Sequence, residues 1–86
     1  MNKYFALRKA NRMRTRLLTE KSQEQLKEVI RYLRRVSWDF CGIELVRSDL
    51  LDIAIQANKE NQELFHSISD AKTFVDEVKP SLKTLR

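Results

Sequence analysis

The chain has one glycine, one proline, one cysteine and one histidine, and each scarcity excludes something. An all-β fold needs many special turns, and Gly42 and Pro80 alone cannot supply them. A single glycine also rules out a glycine-rich phosphate loop. Cys41 has no partner for an internal disulfide and fits a reducing compartment, so a cytosolic setting is expected. Cys41 and His66 lie in different segments, and a four-ligand nitrogen and sulfur metal site cannot be assembled from them. Cys–His catalysis would need the two to converge with a third group orienting the imidazole. Cys41 reads instead as a small thiol buried beside Phe40, and His66 as a polar loop residue. Asp49 and Asp52 are one turn apart, as an acid pair would be, but they equally suit the solvated side of a helix. No apolar run approaches the roughly 18 residues of a membrane span, and the basic N-terminus lacks the apolar core of a signal peptide. Neither an enzyme nor a cofactor is expected.

What is present is a globular composition, 42% hydrophobic and 34% charged, on a length that supports one domain over residues 1–86. Residues 43–57 form the most apolar run. Ile43, Val46, Leu50, Ile53, Ala54 and Ala57 share one helical face, while Leu51 and Ile55 fall on a second, so this helix needs cover on more than one side. Residues 2–18 suit a first helix with Asn2 as its cap and Ala6, Leu7, Ala10, Met13, Leu17 and Leu18 on one face. Ser22 and Gln25 frame an S-x-x-Q capping box ahead of Leu26, Val29, Ile30, Leu33, Val36 and Phe40, which predicts a second helix over 22–40. Gly42 serves either as the residue ending that helix or as a kink before the next. A break is expected within 37–42, and the third helix runs over 43–58. A hook at 64–68 follows. Ser67 and Asp70 resemble a further capping box, for a helix over 69–79 with Ala71, Phe74, Val75 and Val78 as its stripe. The alternative is a coiled-coil seam through Leu64, Ile68, Ala71, Val75, Val78, Leu82 and Leu85. Pro80 should end or kink the helix near Lys79, leaving a tail over 80–86. The expected fold is all-α: a small three- to four-helix bundle whose central helix is sandwiched by the second helix and the C-terminal one.

Acidic residues are missing altogether before Glu20. Residues 1–36 carry eleven Lys/Arg against three Glu, a net charge of +8, and the remainder carries −3. Arg8, Lys9, Arg12 and Arg16 line one side of the first helix, with Phe5 among them. Lys27, Arg31, Arg34 and Arg35 line the second, with Trp38 in the same sector. Glu24 and Glu28 can pair with part of that row. These rows are the candidate nucleic-acid-binding residues: the basic side chains would track a phosphate backbone and Trp38 would stack at the edge. The competing readings are a solvated helix face and pairing with the acidic C-terminal half, within one subunit or across a dimer. Phe5 and Trp38 are either partner anchors or local cover over helix ends.

Residues 30–33 (IRYL), 50–60 (LLDIAIQANKE) and 68–78 (ISDAKTFVDEV) occur in an order and spacing that resemble the small helical bacterial proteins of domain-of-unknown-function family 1048. Genes of that family often neighbour PadR-type transcription regulators, and some members are labelled DNA-binding and ferritin-like. The similarity spans about residues 7–79. The family usually has glycine where Ser69 stands, a longer connection around 37–42, and an early Leu-Pro pair that this chain lacks. No catalytic residues are carried over. The resemblance implies a helical bundle in a bacterial regulatory setting. Two functions are therefore expected: a non-catalytic regulatory or protein-interaction module, for which a protein partner or a homodimer is anticipated, and, as the alternative, nucleic-acid binding through the basic helices.

Overall fold

The computed structural model describes residues 3–82, Ser81 through its backbone alone. The fold is all-α, with no strand among the described residues. Its helices are α1 (Lys3–Thr15), α2 (Glu20–Val36), α3 (Phe40–Lys59), α4 (Leu64–Ile68) and α5 (Ala71–Val78), followed by a 3₁₀ turn over Lys79–Ser81. The expected hook at 64–68 is the short helix α4. Asn2, expected as the first cap, and the tail beyond Leu82 lie outside the described residues.

Caps set the boundaries, and they differ from the expected ones. The N-cap of α2 is Thr19, whose hydroxyl accepts from the Ser22 amide at 3.3 Å. Ser22 is instead fully buried inside the helix, where its hydroxyl accepts from Asn58 Nδ2 at 2.9 Å. Glu20 in the first turn and Arg34 and Arg35 in the last suit the helix dipole. The second helix stops at Val36 rather than at residue 40, because Ser37 is extended (φ −145°, ψ 145°) and Asp39 opens the next helix by accepting from the Gly42 amide at 3.0 Å. The break therefore falls at the start of the expected window. Phe40, expected on the buried face of α2, is the first residue of α3 and is exposed. Gly42 neither ends nor kinks a helix: it sits in the first turn of α3, where a Cβ would lie 2.5 Å from Asp39 Oδ2 and 2.7 Å from Leu82 Cδ2.

The other end of α3 closes in a Schellman motif. The Gln62 amide donates to the Ala57 carbonyl at 2.8 Å and the Asn61 amide to that of Asn58 at 3.1 Å, with Asn61 at φ 61°. Asn58 also accepts from the Thr19 amide, so one side chain clasps the start of α2 to the end of α3. Asp70, rather than Ser67, caps α5, accepting from the Thr73 amide at 2.8 Å. The coiled-coil alternative fails at Ser69, where φ 71° and ψ −85° break the helix between Ile68 and Ala71.

The two-sided burial expected of the third helix is present: Leu50, Leu51 and Ala54 are fully buried. The walls are assigned differently. α2 packs against one side of α3, but α1 covers the other, and α5 packs on α2 instead. The core is built from Leu26, Val29, Ile30 and Leu33 of α2, Ile43, Leu50, Leu51 and Ala54 of α3, and Leu18, Leu64, Ala71 and Val75. The result is a flattened body, with Cα extents of 38 × 33 × 16 Å.

α1 is turned away from its expected orientation. The one residue it buries is Asn11, while Met13 and Leu17 of the expected apolar face are 60% and 71% exposed. Of that set, Leu18 alone enters the core, just beyond the helix end. Polar contacts with α3 set this rotation. Asn11 Nδ2 donates to the carboxylate and carbonyl of Glu44 at 3.0 and 3.1 Å, and Arg14 contacts Ser48 and pairs with Asp52. Cys41, expected to be buried, is exposed beside a small apolar cleft between α1 and α3 that Lys3, Tyr4, Leu7 and Leu45 also line.

Candidate nucleic-acid interface

Spacing along two helices and a shared third neighbour build one basic groove. Arg8 and Arg12 lie one turn apart on α1 with Arg16 in the turn just beyond its end, and Lys27, Arg31, Arg34 and Arg35 follow helical spacing on α2. Both helices pack on α3 and make little contact with each other, so a trough is left between them. Its wider part, about 570 Å³, is lined by Lys27, Arg31, Arg34 and Arg35 with Thr15, Gln23, Leu26, Ile30 and Arg47. Its narrower part, about 290 Å³, is lined by Arg8, Arg12 and Arg16 with Thr15, Arg34 and Arg47. Thr15, Arg34 and Arg47 belong to both and make them continuous. Seven arginines and one lysine line the trough, and no carboxylate does.

Arg47 forms the floor. Its side chain is 22% exposed and lies 3.5 Å through Nε from Glu44 Oε1, an ion pair without a hydrogen bond. Glu44 is buried and is held in turn by Asn11. Burial pushes the Arg47 guanidinium below its ordinary pKa; Glu44 pulls back, and Arg34 and Arg8 push the same way as burial. Positive charge is thus concentrated where water is partly excluded, which raises the field an incoming anion meets.

Seven of the nine residues singled out from the sequence converge here: Arg8, Arg12, Arg16, Lys27, Arg31, Arg34 and Arg35. Lys9 and Trp38 are exposed and line neither part of the trough. None of the seven takes part in an ion pair among the described residues, where the pairs are Arg14–Asp52 and Arg47–Glu44. Intramolecular neutralisation by the acidic half therefore reaches two arginines outside the expected rows. Arg35 stacks over the Tyr32 ring at 5.7 Å. Arg47 was missed from the sequence, although a signal existed. On a helical wheel it falls among Ile43, Leu50 and Ala54, a cation on an otherwise apolar face.

Among the described residues no three His, Cys, Asp or Glu side chains gather as metal ligands, and no helix is long and apolar enough to cross a membrane. The chain matches no family model, no curated protein and no solved structure.

Proposed function

We propose that this protein is a non-catalytic nucleic-acid-binding module that grips the phosphate backbone in the trough between α1 and α2. The observation that carries the reading is the gathering of eight cations, from three helices and the turn after α1, around one groove without a lining carboxylate. Phosphate contacts of this kind give affinity without base readout. The test is fluorescence anisotropy of labelled DNA and RNA at several salt concentrations. Log affinity should fall linearly with log salt, and replacing Arg31, Arg34 and Arg35 together by Glu should abolish binding while leaving the helical circular dichroism intact. Unchanged binding by that variant would sink the proposal.

A second reading, a regulatory protein-interaction module or homodimer, is supported by a separate surface. Ala6, Ala10 and Met13 are exposed on α1 and Leu17 in the turn beyond it, and Leu45 of α3 is exposed as well. It agrees with the regulatory setting that the family resemblance implies. Sedimentation velocity of the wild type beside Leu17→Glu distinguishes it: a dimer dissociated by the substitution supports this reading, and a monomer in both removes the homodimer.

A further inference from the structure

The two parts of the trough differ in how densely they hold charge. We infer that the narrow part is a site for a condensed phosphate, a short chain of anhydride-linked phosphates such as free tripolyphosphate or a terminal triphosphate group, with Arg47 on its floor and Arg8, Arg12, Arg16 and Arg34 around it. The inference goes beyond the backbone-gripping reading, which asks only for single diester contacts, and it stands or falls apart from it.

Five guanidinium groups and Thr15 line about 290 Å³, at the small end of ligand sites, which run roughly 300–1,000 Å³. Five cations also line the wide part, Lys27, Arg31, Arg34, Arg35 and Arg47, but there the volume is about 570 Å³. The narrow part therefore holds its charge at about twice the density. Its guanidinium groups arrive from separate elements: Arg8 and Arg12 from α1, Arg16 from the turn beyond it, Arg34 from α2 and Arg47 from α3. Arg34 and Arg8 both act on the Arg47 guanidinium as like charges, so both walls come close to the floor. Of the five, Arg47 alone has an ion pair among the described residues, and Glu44 meets it at 3.5 Å on the Nε side without a hydrogen bond. The Thr15 hydroxyl is spent on the Asn11 carbonyl at 2.7 Å. Recognition in this part falls to the guanidinium groups.

The chemistry of the ligand follows from that inventory. A backbone diester carries one charge, and the next along the strand is set off by a whole sugar, so a volume this small takes little of a strand's charge. Adjacent phosphates of a condensed chain share a bridging oxygen. They bring several charges and many acceptor oxygens into the same space. Guanidinium suits such a ligand, because its planar fork binds phosphate oxygens in pairs and it stays charged even where partly buried. Binding also relieves the repulsion among Arg8, Arg34 and Arg47, which a single charge would do less well.

Isothermal titration calorimetry of the full chain with tripolyphosphate, orthophosphate and citrate at matched ionic strength is the test. Tripolyphosphate should bind at least about tenfold tighter than orthophosphate or citrate. Two double variants at exposed positions separate place from charge. Arg8→Gln/Arg12→Gln strips the narrow part alone and Lys27→Gln/Arg31→Gln the wide part alone, and each removes two charges. The first should weaken tripolyphosphate by about tenfold or more, the second by less than about threefold. Citrate bound as tightly as tripolyphosphate, or equal losses in the two variants, would reduce the site to diffuse positive charge and overturn the inference. A strand of RNA ending in a triphosphate, compared with the same strand ending in a hydroxyl, separates the sources. A gain of about tenfold or more from the triphosphate places the ligand at a strand end. No gain, with tripolyphosphate held as above, assigns the site to free condensed phosphate. Failure of both strands to bind at low salt would overturn the backbone-gripping reading and leave this one standing.

Discussion

Single side chains decide several of the chain reversals, and two of them make sharp predictions. Ser69 holds φ 71° and ψ −85° between α4 and α5, near the values of a γ-turn and outside the regions that a residue with a Cβ prefers. Glycine carries no such penalty, so Ser69→Gly should raise stability by about 1 kcal/mol, measured as a higher urea midpoint at unchanged slope. Lower stability would mean that the Ser69 side chain contributes something its conformation conceals. At the next position, the Thr73 amide and hydroxyl hold the Asp70 carboxyl below its ordinary pKa. A carboxylate depressed on folding stabilises above its unfolded pKa and loses that contribution as the pH falls through its folded value. The α5 cap is therefore intact at neutral pH and is lost below the usual carboxylate range. Asp70→Asn should flatten this acid limb of the melting-temperature profile; an unaltered limb would assign it to other carboxylates.

Whole helices were legible where apolar spacing was strong, and less so where polar groups chose the orientation. The buried set of α2 (Leu26, Val29, Ile30, Leu33) and the two-sided burial of α3 follow from periodicity alone. Helix ends moved by a few residues because the decisive caps, Thr19 and Asp39, compete with equally plausible neighbours such as Ser22. The orientation of α1 was not legible. Its apolar stripe and its Asn11 side make opposite demands, and the outcome depends on Glu44 and Asp52, more than thirty residues away in sequence. Truncation separates the two orientations. Met13→Ala and Leu17→Ala should each change stability by no more than about 0.5 kcal/mol, while Leu18→Ala should cost about 2–5 kcal/mol. Equal costs for all three in chemical denaturation would put the stripe in the core after all. Of the candidate interface, the two basic rows were readable from helical spacing. Their meeting across α3 and the part of Arg47 were not, because those depend on which helices become neighbours.

At the scale of the molecule, eight like charges around one groove repel each other, and any anion that settles there relieves the repulsion. Binding to the folded state alone raises its stability by mass action. Inorganic phosphate should therefore raise the melting temperature of the wild type more than chloride does at matched ionic strength. The difference should shrink in the variant with Arg31, Arg34 and Arg35 replaced by Glu. An identical response in both proteins would mean that phosphate acts on the whole surface as a salting-out ion rather than in the trough.

The polar attachment of α1 bears on motion as well as on shape. A helix that buries one asparagine and is otherwise held by half-buried contacts belongs at the labile end of the local-opening spectrum, whereas α2 and α3 share the Leu33, Leu50 and Leu51 core and open last. Amide protons of α1 should exchange with deuterium orders of magnitude faster than those of α2 under native conditions. The α1 bank of the trough should then open before the α2 bank, and if an anion binds across both, its binding should add protection along α1 above all.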